Sequence, residues 1–217
     1  MLVVHHLQRA QSERIVWLCE ELGLEYELKT YQRDPVTKMS PPEYKALHPA
    51  GSAPIIQDGD VTLPESGAIV EYILNKYGQG KLSIPSTADN YADYLYYLHF
   101  CNGYFQPMLL QNLLIKRLEV PEDAFATRFA RASFEKGFSI LEERLSKHPW
   151  LAGEEFTAAD IMIVFSLSTM RLFFPYSLEK YPAIAAFLKR VGERECYQRA
   201  MSKGDPGFEP ILSVTAQ

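Results

Sequence analysis

The run Gly51-Ser52-Ala53-Pro54-Ile55-Ile56-Gln57-Asp58-Gly59-Asp60-Val61-Thr62-Leu63-Pro64-Glu65-Ser66-Gly67 reads as a β-hairpin with an unusual residue at each end. Ile55 to Gln57 and Val61 to Leu63 are short β-type runs, and Asp58-Gly59-Asp60 between them is a tight-turn signal. Pro54 stands directly before a strand, where a missing N–H and a fixed φ are normally avoided. A cis bond after Ala53 accounts for it and turns the Ala53 N–H and C=O away from the sheet, where a peptide-like ligand docks as an extra strand. At the other end, Glu65-Ser66-Gly67 opens an amphipathic helix with Ile69, Val70, Ile73 and Leu74 on one face. Its unpaired first-turn N–H groups and positive dipole end, with the Ser66 hydroxyl, form a cradle for a carboxylate. Glu65 adds a negative partner for an ammonium group. The implied ligand has an α-amino acid at one end and a peptide bond in its middle. Either feature alone is explained by ordinary capping and an edge proline; joined by a turn of this length, they favour the ligand reading.

Working outward, Leu2 to Leu7 is apolar enough for a buried strand, and alternation allows only one of His5 and His6 to face the ligand side. Neither has a neighbouring metal-ligand pattern, and both read as histidines satisfied within the fold. Ser12 to Leu22 follows as a helix stopped by Gly23, then Tyr26 to Tyr31 as a strand. Ser40-Pro41-Pro42-Glu43 reads as a capping box opening a short helix that ends near Leu47. The order β-α-β-α-β-β-α is an α/β layout with one connection suited to a parallel pair.

Gly78, Gly80 and Pro85 mark residues 79–88 as a linker, dividing the 217 residues into domains at 1–78 and 89–217. The second part is helical throughout. Asn90 to Leu118 is a long stretch expected to kink or break around Gly103 to Pro107, and Pro121 to Lys147 is a second helix. Thr157-Ala158-Ala159-Asp160 is a capping box opening the strongly apolar Ile161 to Leu172, and Tyr181-Pro182 begins one more helix to about Ala200. Tyr94, Tyr97, Phe100, Tyr104 and Phe105 either line an apolar pocket or pack as core.

Hydrophobic residues at 47% and charged residues at 23% argue against disorder. A net charge of −5 points away from nucleic acid and from membrane surfaces as partners. No signal peptide or membrane-spanning run is read, which implies a cytoplasmic protein. Cys19, Cys101 and Cys196 are far apart and odd in number, which indicates neither a disulfide framework nor a metal site, and they read as buried free thiols.

The hairpin with its flanking helix, the β-α-β-α-β-β-α order and the Thr157 to Asp160 box resemble the cytosolic glutathione transferases. Trp17 to Gly23 and Tyr31 to Pro35 are closest to the bacterial and fungal branch. The resemblance implies a thioredoxin-like domain followed by an all-α domain that contributes the hydrophobic co-substrate site, a cytoplasmic homodimer, and glutathione as co-substrate with no metal. It implies that Ala53, Pro54, Glu65 and Ser66 hold the tripeptide, with Ser52 and Lys38 at its glycyl carboxylate; Lys38 also reads as a solvated loop lysine. In serine-type members the activating serine lies four residues before an arginine matched by Arg14, which puts Ala10 at that place. Ser12 is then the nearest hydroxyl, as thiolate-activating residue or as helix N-cap, with backbone N–H groups near Ala10 to Ser12 as the other source of activation. The implied reaction is conjugation of glutathione to hydrophobic electrophiles. A non-catalytic glutathione-binding carrier or regulatory module, and a glutathione-dependent peroxidase, are the alternatives.

Overall fold

The computed structural model describes residues 1–215. In chain order the elements are β1 (Leu2–Leu7), α1 (Glu13–Leu22), β2 (Tyr26–Tyr31), α2 (Pro42–Lys45), β3 (Ile55–Asp58), β4 (Val61–Pro64) and α3 (Ser66–Tyr77). There follow α4 (Tyr91–Phe100), a π-helical turn (Cys101–Phe105), α5 (Gln106–Arg117), α6 (Phe125–Lys147) and α7 (Ala158–Leu167). A 3₁₀ turn (Thr169–Leu172), α8 (Pro182–Gly192) and α9 (Glu195–Gly204) complete the order. These form two compact units: Met1–Pro85 with Val191–Pro210, and Ser86–Arg190 with the described residues from Ile211 onward.

The first unit is the thioredoxin-like α/β part, with a four-stranded sheet in the order β2-β1-β3-β4. β1 runs parallel to β2, joined through α1 as a crossover, and antiparallel to β3, which turns back into β4. Alternation along β1 sends His5 and His6 to opposite faces. His5 meets Tyr31 Oη at 2.8 Å and Gln57 Oε1 at 3.1 Å on the face where Tyr44 of α2 closes a cluster with Leu7, Ala10 and Ile55. α2 starts with Pro42 in its first turn and Pro41 as N-cap; Ser40 makes no cap, a departure from the expected capping box.

Helix α1 is buried nearly all round, from Ile15 to Cys19, because α3 packs on one side and α9 on the other. The sequence places one helix from Pro182 to about Ala200 in the helical domain. The structure breaks it after Gly192, where Arg194 is extended at ψ 120°, and α9 turns back onto α1. Tyr197 packs edge-on against Trp17 at 4.8 Å, and Arg194 pairs with Glu21 at 2.7 Å. The break falls at Gly192, a local helix-stop signal, and burial of that aromatic pair holds α9 on α1.

In the same unit Asp58 accepts hydrogen bonds from Lys76 Nζ and Tyr77 Oη at 2.6 Å and from Tyr72 Oη at 2.9 Å, tying β3 to α3. Lys76 and then Tyr77 hold its carboxyl down to about 2. A folded value below the ordinary ~3.9 means the contribution is complete above about pH 4 and is lost as pH falls toward 2. Asp58→Asn is expected to flatten the acid limb of stability across that window, read from urea midpoints at mildly and strongly acidic pH. An unchanged acid limb contradicts the assignment.

The second unit is all-helical. Every residue of α7 is buried, and its start carries the expected capping box: Thr157 and Asp160 bond reciprocally. Asp160 Oδ1 also accepts the Leu151 N–H at 2.8 Å, so the carboxylate fixes the preceding loop as well as the helix. The expected interruption near Gly103 is the π-helical turn, which carries the chain from α4 into α5 without a break. Opposite it, Gly137 of α6 permits close approach: a Cβ there would stand 2.9 Å from Met108 Cε. Tyr94, Tyr97, Phe100 and Phe105 are buried core residues, and Phe105 lies 5.0 Å from Phe138. Arg171 is fully buried and donates to the backbone carbonyls of Tyr176, Ser213 and Val214, binding the C-terminal segment to this unit.

Candidate functional site

In the first unit the register of the hairpin decides which groups meet. Ile55 pairs with Pro64, so Pro54 precedes one end of the ladder and Glu65 follows the other, side by side. The Ala53-Pro54 bond is cis. Ala53 is half-buried and lies outside the ladder, which begins at Ile55; Ser52 is exposed and Pro54 buried. Across from them Glu65, at φ 75° and exposed, is the N-cap of α3, its Oε1 accepting the Gly67 N–H at 3.4 Å. Ser66 is 1% exposed, and its Oγ accepts from Arg14 Nη1 at 3.2 Å. The same nitrogen donates to Gln11 Oε1 at 2.8 Å. One buried guanidinium thus joins the starts of α1 and α3, putting two positive dipole ends and a cation around Ser66.

Lys38 is exposed, at φ 60°, in a turn closed by Asp34, whose Oδ1 accepts the N–H groups of Val36 and Thr37. Arg33 braces this turn: Nη1 donates to Lys38 O at 2.9 Å, while Nε and Nη2 donate to Gln8 O and Arg9 O at 2.9 and 3.1 Å. The loop between β1 and α1 is thereby held at successive residues. Gln8 N–H donates to Tyr31 O, and Arg9 N–H, at φ 50°, donates to both oxygens of Asp205. The Glu13, Arg14 and Ile15 N–H groups that start α1 are taken by Ala10 O, Gln11 O and Ser12 O, whereas the Ala10 and Gln11 N–H groups just before the helix have no backbone acceptor among the described residues.

Ser12 departs from both expectations. It is fully buried, and its side chain makes no cap hydrogen bond to α1. Its Oγ accepts the Leu7 N–H at 3.1 Å and lies 3.0 Å from His6 Nδ1. A hydroxyl with no exposed area, engaged by the preceding strand and by an imidazole, has no open approach to a ligand sulfur. The sequence offered Ser12 as an activating or capping hydroxyl and did not show its direction, because its partner His6 was taken only as a satisfied core histidine.

Arg33 and Asp205 are the residues the sequence reading missed. Arg33 sits in the noted Tyr31 to Pro35 run but has no motif of its own, and Asp205 lies almost at the other end of the chain. Cys19 and Cys101 are buried, with burial pushing the Cys19 thiol up to about 12, whereas Cys196 is only half-buried, unlike the expectation. Among the described residues no cluster of His, Cys, Asp and Glu suits a metal ion, and no helix is long and apolar enough to cross a membrane.

Comparison with known proteins bears on the family and the fold. The family model described as glutathione S-transferase, N-terminal domain matches residues 1–75, and the corresponding C-terminal domain model matches residues 123–195. A glutathione S-transferase 3 of Schizosaccharomyces pombe is 30% identical, with 98% of this chain and 92% of that protein aligned. A crystal structure of a glutathione S-transferase from Actinobacillus pleuropneumoniae is 33% identical and superposes with a TM-score of 0.86, covering 100% of this chain and 98% of that one. A glutathione transferase from Phanerochaete chrysosporium, solved with oxidized glutathione, is 26% identical at a TM-score of 0.72, with 94% of each chain covered. With two family models spanning both units and a relative aligned over nearly its whole length, the chain belongs to the glutathione S-transferase family.

Proposed function

We propose that the protein binds glutathione along Ala53 to Ser66, holds its sulfur as thiolate at the start of α1, and transfers it to hydrophobic electrophiles. The carrying observation is the pairing of Ala53, outside the sheet ladder, with a helix N-terminus whose Ser66 is fixed by Arg14. In this reading the Ala53 backbone pairs with the cysteinyl residue of the tripeptide. The N–H groups at the start of α3, with Ser66, hold the γ-glutamyl carboxylate, and Glu65 holds its ammonium group. Ser52 and Lys38 hold the glycyl carboxylate, with Pro54 fixing the turn between. The bound-glutathione state of the Phanerochaete relative supports the same ligand here. Homodimerisation and a cytoplasmic location belong to the proposal on family likeness.

Magnitudes decide what activates the sulfur. Lowering a thiol from about 8.5 by two units takes about 2.7 kcal/mol. The α1 dipole supplies about 0.3 to 1 kcal/mol, and one hydrogen bond to a charged group about 1.5 to 3 kcal/mol. The dipole alone is too weak; at least one donor must touch the sulfur. With Ser12 turned inward and wholly buried, the backbone N–H groups of Ala10 and Gln11, which precede it in the loop, are the donors we assign. In the reaction the thiol proton leaves to solvent, the sulfur forms a bond to the electrophilic carbon, and the leaving group departs with its electron pair.

The test is conjugation of a chloronitrobenzene alongside glutathione calorimetry. Activity above the solution rate, with Lys38→Ala and Ser52→Ala each raising the glutathione Kd by about three- to tenfold (about 0.7 to 1.4 kcal/mol), supports the reading. Glutathione binding without conjugation favours the carrier reading, for which Ala10 and the inward Ser12 speak. Oxidised glutathione formed from organic hydroperoxides favours peroxide reduction.

A further inference from the structure

The β1–α1 loop is governed from beneath by a chain of three buried groups. Asp205, directly after α9, is 3% exposed; both its oxygens accept the Arg9 N–H, at 3.0 and 3.1 Å, and Oδ2 lies 3.1 Å from His6 Nε2. A carboxylate only accepts, so Nε2 of His6 carries the hydrogen. The other ring nitrogen, Nδ1, then offers a lone pair 3.0 Å from Ser12 Oγ, and the serine O–H donates to it. The Ser12 oxygen keeps its own lone pairs for the Leu7 N–H at 3.1 Å. Leu7 O, at 3.4 Å from Ser12 Oγ, is the longer alternative acceptor for that hydrogen, so with a neutral imidazole the donor direction runs from Ser12 to His6 to Asp205. His6 and Ser12 have no exposed area, so water is not a substitute partner. Gly204 lets the end of α9 come this close: a Cβ there would stand 3.1 Å from His6 Nε2.

The three residue types are those of a hydrolytic triad, but a fully buried serine meets no substrate, and the chain ends on backbone. Its two ends are the Leu7 N–H and the Arg9 N–H, which bracket the loop leading into α1. We propose that Ser12, His6 and Asp205 form a positioning chain that aims the N–H groups of Ala10 and Gln11 at the glutathione sulfur, so that Asp205 sets how much thiolate the site holds. This rests on the reading that glutathione binds here.

Asp205→Asn is the informative variant, because in either amide orientation an NH₂ faces a donor: it stands against His6 Nε2, or, with the amide oxygen at the place of Oδ2, against the Arg9 N–H, so one end of the chain is disturbed. The fraction of bound glutathione present as thiolate at neutral pH, read in its ultraviolet band, is expected to fall about fivefold or more, and kcat for chloronitrobenzene conjugation with it. The glutathione Kd from calorimetry is expected to stay within about threefold, since Ala53 to Ser66 is untouched. Gly204→Ala, which presses on His6 while keeping all three groups, is expected to give a smaller loss of the same kind and carries the test alone if Asp205→Asn does not fold. Asp58→Asn serves as a control away from the loop and is expected to keep full thiolate. A wild type that binds glutathione while both loop variants keep full thiolate and kcat overturns the proposal, as does an equal loss in the control. A wild type that takes up no glutathione overturns the reading beneath it instead.

Discussion

Asp160→Ala is expected to lower the unfolding free energy by about 2 to 5 kcal/mol, because it strips acceptors from two buried backbone donors at about 1 to 3 kcal/mol each. Those donors are the Leu151 and Thr157 N–H groups, both 2.8 Å from the carboxylate, and the Thr157 hydroxyl loses a partner as well. For a chain of this size the melting temperature falls by about 5 to 15 °C. The helix affected is wholly buried, so its loosened start is felt across the unit. Asp160→Asn keeps one carbonyl acceptor and is expected to lose about half as much. Denaturant unfolding monitored at Trp150, beside the affected loop, measures both. A loss below about 1 kcal/mol for the alanine variant contradicts this account.

Arg14→Met is expected to raise the glutathione Kd by about tenfold or more, a loss of about 1.4 kcal/mol or more. Arg14 is 1% exposed and joins Ser66 Oγ at 3.2 Å to Gln11 Oε1 at 2.8 Å. Methionine fills similar space but donates nothing, so the starts of α1 and α3 lose their shared cation and their common brace. Stability is expected to fall with it, by about 1 to 3 kcal/mol. Calorimetry with the folded variant separates the two effects, and an affinity within about twofold of wild type contradicts the role given to Arg14.

Much of the first unit was legible because its signals are local. β1 and β2 have the ends read from alternation and apolar runs, and the hairpin turn follows from Asp58-Gly59-Asp60. The Thr157 to Asp160 box was visible for the same reason: a reciprocal cap spans four residues. What was not legible depends on groups far apart in sequence. Burial of α1 on both sides requires α9, and what holds α9 there is the meeting of Tyr197 with Trp17. The direction of the Ser12 hydroxyl is set by His6 and, behind it, by Asp205. No spacing rule joins residues 12 and 205, so the sequence could offer a hydroxyl near the loop but not the partners that turn it inward. Arg33 is the same case on a smaller scale, one side chain fixing three carbonyls in two loops.

The most direct measurement is a crystal structure with reduced glutathione bound. The account predicts the γ-glutamyl carboxylate on the start of α3 beside Ser66, the cysteinyl backbone paired with Ala53, and the sulfur within about 3.5 Å of the backbone N–H of Ala10 or Gln11. A tripeptide lying elsewhere, or a sulfur bonded to the Ser12 hydroxyl turned out from His6 rather than to the Ala10 or Gln11 N–H, contradicts it.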